Sequence, residues 1–281
     1  IDKLKQLGSD SIFIPKLEAI EPLVDRISQK RFIDKLKLPS PEWISLDLFK
    51  KSIDSYLENW NFPLMAKTFK GGYDGKGNKK LSNRSELDVF IAESNSDEWL
   101  IEEWVKFKNE FALIGSRDNK GKIRLFPIVE TYQFHNICDY VISPAKINYE
   151  INLSALNIFS SIVNELDYVG VMGIEFFFGE KGLLINEIAP RTHNSGHFSI
   201  EACSSSQFDQ HICISSEIQP PDIKMNCNGA LMINLLGLKK SFPLSIEQRF
   251  ERLSKLKNGF LHKYGKSKET IGRKMGHITF L

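Results

Sequence analysis

Two glutamates, Glu175 and Glu187, are the first candidates for chemistry, because a predicted β-hairpin places them opposite each other. Strands over 171–178 and 183–188 are joined by a three-residue loop, and this register puts both carboxylates on one sheet face unless a bulge shifts them. Like charges in that arrangement repel. A Mg²⁺ ion would offset the repulsion, and Asn186 would add a neutral oxygen donor. The alternative is that one glutamate faces solvent.

The glycine-rich stretch 71–77 is a second candidate, because its backbone N–H groups can surround an anion. Lys67, Lys70 and Lys76 bring positive charge to it, so a phosphate is the expected ligand. The stretch is not a Walker A loop, since its spacing is one residue short and Gly77 stands where a hydroxyl residue is needed. The alternative is a surface hairpin turn without a ligand.

Polar side chains are concentrated in 189–197. His193 and His197 have the i, i+4 spacing of two helical metal ligands, but the residues between them are poor helix formers and H-E-x-x-H is absent. Together with Arg191, this run suits an anionic or hydroxyl-bearing substrate better than zinc. The basic stretch 263–274 is ordinarily a solvated face, although its interleaved glycines would also let the backbone approach a phosphate.

The composition is that of a folded chain of 281 residues, with 42% hydrophobic and 26% charged residues. Lys and Arg number 37 against 35 Asp and Glu, a net charge of +2 that indicates neither a nucleic-acid nor a membrane partner. The most apolar stretches are too short to span a bilayer. Four cysteines without a C-x-x-C pair indicate no disulfide framework, so the cytoplasm is the expected location.

The predicted elements are mixed helices and strands that carry these candidates at their ends. A strand over 62–69 runs into the glycine-rich stretch, and a helix over 82–94 follows it. Later elements are strands over 99–105, 111–116 and 230–236, with a helix from residue 153 to about residue 166 before the glutamate hairpin. A short strand is also expected over 12–15.

Taken together, the motifs are Lys67, 71–77, 102–105, Glu175, 186–191, 193–197 and 273–277. In order and spacing they resemble the N5-carboxyaminoimidazole ribonucleotide synthetases, a family of ATP-grasp enzymes of purine biosynthesis, over essentially the whole chain. The run Asn-Glu-x-Ala-Pro-Arg-x-His-Asn-Ser-Gly-His is specific to this family within the ATP-grasp superfamily.

The resemblance implies an α+β ATP-grasp fold, in which two α+β lobes clamp ATP, with a small β-rich C-terminal domain. Residues 1–42 would be a remnant of an N-terminal α/β domain and a linker, 43–105 the small lobe with a glycine-rich lid, 106–221 the large lobe, and 222–281 the C-terminal domain. Most of the family's N-terminal domain is expected to be missing, which puts the affinity for the ribonucleotide in question.

The resemblance also assigns nucleotide-binding residues. Arg26 and Lys67 would contact the phosphates, and Glu175 and Glu187 would hold Mg²⁺. The lid would consist of Gly72, Tyr73, Asp74, Gly75, Lys76 and Gly77. The remaining nucleotide-binding residues would be Glu102, Glu103, Trp104 and Val105 in the hinge strand at adenine, Glu110 at the ribose, Gln133, Asn186 and Glu187.

The implied reaction is carboxylation of 5-aminoimidazole ribonucleotide by bicarbonate, driven by ATP through carboxyphosphate, giving the N5-carbamate, ADP and phosphate. Phosphorylation makes bicarbonate electrophilic, and its transfer step needs positioning and cations. The catalytic residues would be Arg191, His193 and Lys76. Arg191, His193, Asn194 and Ser195 would line the bicarbonate and aminoimidazole pocket, and Lys266, Arg273 and Lys274 would bind the ribonucleotide phosphate. The only expected partners are these small molecules and a second subunit in a homodimer.

One position departs from the family pattern: Gln133 stands where the family has a histidine near the nucleotide. Glutamine cannot carry charge, so weaker ATP binding is expected. Two alternatives are another ATP-grasp ligase acting on a ribonucleotide, such as the formate-using glycinamide ribonucleotide transformylase, and a truncated, non-catalytic ATP-binding module. The run 193–197 argues against the first, and the intact Glu175, Glu187, Lys67 and Lys76 argue against the second.

Overall fold

The computed structural model describes residue 4 and residues 12–71, 77–238 and 242–281. The first helices are α1 (Leu17–Ile20), followed by a 3₁₀ turn, and α2 (Arg26–Lys35). Asp25 caps α2 by accepting a hydrogen bond from the Ser28 N–H. The strand expected over 12–15 does not form, because these residues have no strand partner within the described part of the chain.

A four-stranded antiparallel sheet contains β1 (Trp43–Ser45), β2 (Leu64–Thr68), β3 (Asn78–Leu81) and β4 (Trp99–Glu103), in the order β1-β4-β2-β3. Helices α3 (Leu46–Lys51), α4 (Ile53–Leu57) and α5 (Arg84–Glu93) accompany it. Leu46, Phe49, Leu64, Leu81 and Phe90 form part of its buried core. This unit places β2 and β4 side by side, so that their polar side chains converge.

A nine-stranded antiparallel sheet forms the larger unit. Its first members are β5 (Phe107–Arg117), β6 (Ile123–Leu125), β7 (Val129–Phe134), β8 (Ile137–Ser143), β9 (Gly170–Gly179) and β10 (Gly182–Ala189). Helix α6 (Tyr149–Glu165) buries Phe159, Ile162 and Val163 on one face, as its helical spacing predicts. The short α7 (Ser199–Ala202) and α8 (Gln207–Ser215) follow β10.

The C-terminal strands continue this same sheet. They are β11 (Ala230–Leu236), β12 (Gly259–Lys263) and β13 (Lys274–Phe280), with α9 (Ile246–Leu253) between the first two. The sheet order is β10-β9-β5-β7-β8-β11-β13-β12, with β6 beside β5. Because β11 pairs with β8, the C-terminal strands belong to the same sheet as the β9–β10 hairpin that carries Glu175 and Glu187. In the part of the chain that the structure describes, no helix has the length and apolar character needed to cross a membrane.

The glutamate hairpin reaches the expected pairing by a different register. Gly182 pairs with Gly179 across a two-residue turn, one residue shorter than predicted. A bulge at Asn186 then shifts the register, so that Glu187 pairs with Glu175. The bulge restores the opposition of the two carboxylates. It leaves Asn186, between Ile185 and Glu187 in β10, without a paired residue in β9.

Candidate active site

A cleft of about 860 Å³ opens between the two sheets. Residues of both sheets line it, including residues of the C-terminal strands. The predicted site residues that line it are Arg26, Lys67, Glu102, Glu103, Trp104, Val105, Glu110, Gln133, Glu175, Asn186, Glu187, Arg191, His193, Asn194, Ser195, Lys266 and Lys274. Gly72, Tyr73, Asp74, Gly75 and Lys76, which are predicted to form a lid, lie outside the described residues. Gly77, the last residue of the predicted lid, accepts a hydrogen bond from the Thr68 N–H through its carbonyl oxygen.

Lys67 is held at the cleft by a buried ion network. Its Nζ lies 2.7 Å from Glu102 Oε2, and Lys30 Nζ lies 2.8 Å from Glu102 Oε1. Burial opposes ionisation of Glu102, but the charges of Lys67 and Lys30 lower its pKa below the ordinary value. Burial lowers the pKa of Lys30 despite the attraction of Glu102. The network fixes an ammonium group beside Asn186, whose Oδ1 is 3.3 Å away.

Arg26 anchors the end of β2. Its backbone N–H donates to Phe69 O at 3.0 Å, and its guanidinium donates to Thr68 O at 3.1 Å. Arg26 is the first residue of α2 and also lines the cleft. The start of α2 therefore ties the strand that precedes the glycine-rich stretch to the cleft wall.

Part of the cleft lining is apolar and aromatic. Phe107 and Phe177 stack with ring centroids 4.6 Å apart and an interplanar angle of 12°, and Met65 lines the same cleft. Glu103 Oε2 accepts from Lys181 Nζ at 2.6 Å, which links the hinge strand to the β9–β10 turn. Phe107, Phe177 and Met65 therefore give the cleft an apolar, partly aromatic lining that suits a flat heteroaromatic ring.

Glu110 pairs with Phe177 across β5 and β9 and lines the same cleft. Burial and the nearby charge of Glu175 raise the pKa of Glu110 to about 7, while a hydrogen bond with Gln133 works in the opposite direction. Glu110 therefore changes protonation near neutral pH and can either donate or accept a hydrogen bond there.

Glu175 and Glu187 both have raised pKa values, chiefly because of burial, and the charge of Glu175 raises that of Glu187 further. Asn186 Nδ2 lies 3.4 Å from Glu175 Oε2, and His193 Nε2 lies 3.4 Å from Glu175 Oε1. Two hard oxygen donors facing each other fit a Mg²⁺ ion whose other ligands are water and phosphate. Among the described residues, no group of three or more His, Cys, Asp or Glu side chains is placed to hold a metal.

The polar loop after β10 also lines the cleft, next to the opposed carboxylates. Burial lowers the pKa of His193 to about 4, so its imidazole is neutral at physiological pH. Asn194 and Asn234 of β11 exchange two amide hydrogen bonds of 2.9 and 2.8 Å, which fasten the loop to the C-terminal strands. Ser195 Oγ is buried without a hydrogen-bond partner among the described residues. The loop therefore offers neutral donors and acceptors beside the charge of Arg191.

The basic C-terminal residues are only partly in the cleft. Lys266 and Lys274 line it, and Lys266 Nζ donates to Lys274 O at 2.6 Å. Arg273 is exposed and lies outside the cleft, because its guanidinium donates to Lys268 O at 2.8 Å on the protein surface. The structure thus brings two of the three predicted phosphate-binding cations to the site and leaves Arg273 apart.

Sequence reasoning missed several residues of the cleft. They are Met65, Asn78, Phe107, His135, Asn136, Cys138 and Phe177. For Phe177 a signal existed, since a strand places it on the same face as Glu175 two residues earlier. Burial raises the pKa of Cys138 to about 12, so its thiol stays protonated.

Comparisons with known proteins show the family to which the chain belongs. Residues 31–208 match the ATP-grasp domain, and residues 230–281 match the phosphoribosylaminoimidazole carboxylase C-terminal domain. The N5-carboxyaminoimidazole ribonucleotide synthase of Synechocystis sp. is 36% identical over 290 positions, which cover 100% of this chain and 72% of that protein. The phosphoribosylaminoimidazole carboxylase of Schizosaccharomyces pombe is 31% identical, and the match covers 99% of this chain and 52% of that protein.

Solved structures give the same result. The N5-carboxyaminoimidazole synthetase of Staphylococcus aureus complexed with ADP superposes with a TM-score of 0.87 at 34% identity, covering 100% of this chain and 73% of that one. The Aspergillus clavatus enzyme in complex with ADP and 5-aminoimidazole ribonucleotide has a TM-score of 0.86 at 29% identity, covering 99% and 73%. The chain belongs to the ATP-grasp superfamily and, within it, to the family of N5-carboxyaminoimidazole ribonucleotide synthases.

Proposed function

We propose that this chain joins bicarbonate to 5-aminoimidazole ribonucleotide at the expense of ATP. A bicarbonate oxygen attacks the γ-phosphorus and ADP leaves, which gives carboxyphosphate. The N5 amine then attacks the carboxyl carbon, the C–O bond to phosphate breaks, and the amine loses a proton as the carbamate forms. The observation that carries this proposal is one cleft lined by the opposed carboxylates, by Lys67 and by the loop 191–197.

The nucleotide half of the cleft supports ATP as the energy source. Lys67 and Arg26 would bind phosphate oxygens, and the ion pair with Glu102 keeps Lys67 in place before ATP arrives. The backbone of 102–105 and the rings of Phe107 and Phe177 would bind adenine. Further nucleotide contacts would come from Glu110, Gln133 and Asn186, and from the lid with Lys76.

We propose that Glu175 and Glu187 hold Mg²⁺ when Mg²⁺-ATP binds. The bound ion would neutralise charge that develops on the phosphate oxygens. The support is the pair's opposition across β9 and β10 and the burial of both carboxylates, which raises their pKa values and which a bound cation would offset. Asn186 at the bulge adds an amide oxygen that already accepts from Lys67.

The loop half of the cleft would bind the other two substrates. Arg191 would stabilise the anionic bicarbonate-derived group through its positive charge. The neutral His193 would form hydrogen bonds to the substrates without adding a charge. Ser195 Oγ, a buried hydroxyl unpaired among the described groups, is free to contact the substrate. Lys266 and Lys274 would bind the ribonucleotide phosphate. Arg273 contributes to that binding only if its side chain leaves Lys268.

The domain division, the oligomeric state and the cellular location are part of the same proposal. The division at residues 42, 105 and 221 is the expected domain arrangement, and the C-terminal strands share their sheet with the large lobe. A homodimer is proposed from the family resemblance. The cytoplasm is proposed as the location, and the four free cysteines support a reducing compartment.

Separate thermal shifts test the two halves of the cleft. Ligand binding to the folded state raises the melting temperature by mass action, so Mg²⁺-ATP and 5-aminoimidazole ribonucleotide each report their own site. We expect both to stabilise the protein. Stabilisation by Mg²⁺-ATP without any effect of the ribonucleotide would favour an ATP-grasp ligase with another acceptor and contradict the proposal.

A further inference from the structure

Gln207 is a buried side chain that contacts the loop 191–197 at three points. It is 0% exposed and is the first residue of α8. Its Oε1 accepts from the His193 N–H at 2.8 Å, and its Nε2 donates to His193 O at 2.7 Å. The same Nε2 lies 2.9 Å from Nδ1 of His197. One amide therefore satisfies both backbone groups of His193 and the near nitrogen of His197.

These contacts fix the proton positions. The His193 N–H can only donate, so the amide atom facing it is the oxygen and the other is the NH₂ group. That NH₂ group donates to Nδ1 of His197, which must then be unprotonated. His197 is therefore a neutral imidazole with its proton on Nε2.

Two other rings stack against the ring of His197. Phe208 stacks on it at 5.4 Å and His277 at 5.2 Å, with interplanar angles of 26° and 29°. Burial, together with the neighbouring His277, lowers the pKa of His197 to about 3, which agrees with a neutral ring. Since Gln207 takes up Nδ1, the Nε2 edge is the one that can face the cleft, which His197 lines together with Tyr264, whose ring meets it edge-on.

Gly196 makes this arrangement possible. A Cβ at this position would lie 2.8 Å from Cδ and Oε1 of Gln207. Any larger residue would push the amide away from the loop, so the glycine between His193 and His197 provides the space that Gln207 occupies.

We propose that Gln207 is a positioning residue that holds His197 with its Nε2–H directed into the cleft, where it donates a hydrogen bond to an anionic oxygen of the non-nucleotide substrates. This inference rests on the proposed function. The oxygen belongs to the bicarbonate-derived group or to the ribonucleotide phosphate, and separate KM values distinguish the two. A preorganised donor aimed at such an oxygen stabilises negative charge without reorganisation.

The direct test is the tautomer of His197 in the unmodified protein. In protein labelled with ¹⁵N in its histidine rings, NMR should give Nδ1 the signature of an unprotonated nitrogen and Nε2 that of a protonated one. The His197→Gln variant identifies the signals by their loss. A proton on Nδ1 overturns the proposal, and this measurement needs no turnover, so it is independent of whether the proposed reaction takes place.

The functional test is Gln207→Glu. A carboxylate accepts a proton from Nδ1, so His197 would change tautomer or become charged, and the KM of one non-nucleotide substrate should rise by at least about 10-fold. The KM for ATP should stay unchanged. An altered tautomer with all KM values unchanged would overturn the role of Nε2–H in substrate binding.

Gln210→Glu is the matched control. Gln210 lies three residues further along α8, is also 0% exposed, and is bonded to Ser116, Ser205 and the Pro221 carbonyl instead of the loop. This variant carries the same chemical change and a similar stability cost. The tautomer of His197 and the KM values should stay as in the parent protein. If Gln210→Glu changes them equally, the effect is structural and the proposed role of Gln207 is wrong.

Discussion

Lys67 Nζ and Glu102 Oε2 form an ion pair of 2.7 Å between neighbouring strands, with the two residues only 7% and 2% exposed. The pair joins the strand that leads to the glycine-rich stretch with the strand that forms the hinge. Since Lys30 contacts the same carboxylate from α2, Glu102 has two buried cations to neutralise. The side chain of Glu102 thus stabilises the fold. This role is separate from the adenine contact that is proposed for the backbone of its strand.

Glu102→Gln should destabilise the protein by about 3–5 kcal/mol, because it leaves two buried lysines without their shared carboxylate. It should also weaken Mg²⁺-ATP binding, since Lys67 loses its fixed position. Urea unfolding gives the first quantity and calorimetric titration the second. Lys51→Gln breaks an exposed pair with Asp47 and should cost at most about 1 kcal/mol. Equal costs for the two variants would contradict this account.

The pKa of Glu110, raised to about 7, predicts a pH dependence of stability. The folded state binds more protons than the unfolded state between the ordinary carboxyl pKa and about pH 7, so this group's contribution to stability is lost as pH rises through that window. The total effect is about 3 kcal/mol. Glu110→Gln should remove it. Unfolding free energies of the two proteins measured from pH 5 to pH 8 should diverge, and parallel curves would show that Glu110 does not titrate as described.

Gln133→His should strengthen ATP binding several-fold. Gln133 lines the cleft and forms a hydrogen bond with Glu110, and a histidine there can carry a positive charge next to the nucleotide. Isothermal titration of both proteins with Mg²⁺-ATP measures the difference. The gain should grow at lower pH as the imidazole is protonated, and equal affinities would refute the idea that glutamine weakens this site.

Glu187→Gln should have opposite effects on stability and on nucleotide binding. It removes a like-charge neighbour of Glu175 and should stabilise the metal-free protein by about 1 kcal/mol. It should also abolish the rise in melting temperature that Mg²⁺-ATP gives, as should chelation of Mg²⁺ by EDTA in the parent protein. Glu180→Gln, in the exposed turn of the same hairpin, should change neither quantity. A variant that still gains full stability from Mg²⁺-ATP would exclude Glu187 as a metal ligand.

Local sequence patterns predicted most of the elements but not their register. The strand at 230–236 has the predicted bounds, and α6 covers most of the helix predicted from residue 153 to about residue 166. The opposition of Glu175 and Glu187 was expected from a longer turn, whereas a shorter turn and the bulge at Asn186 produce it. A turn and a bulge each change the pairing by one residue, and local spacing does not determine how they combine.

Contacts between distant segments were the part that the sequence did not reveal. The C-terminal strands join the large sheet because β11 pairs with β8, and no local pattern encodes that pairing. Gln207 went unnoticed because a lone glutamine has no distinctive spacing, and its role emerges only when α8 packs on the loop. Arg273 was predicted from its charge and from the family resemblance, and local spacing does not show that its guanidinium donates to Lys268 O.

ADP release from Mg²⁺-ATP in bicarbonate buffer, with and without 5-aminoimidazole ribonucleotide, tests the central claim most directly, and Glu187→Ala serves as the blank. The account predicts release that depends on the ribonucleotide and is absent in the blank. Release at the same rate without the ribonucleotide, or undiminished in the Glu187→Ala variant, would contradict it.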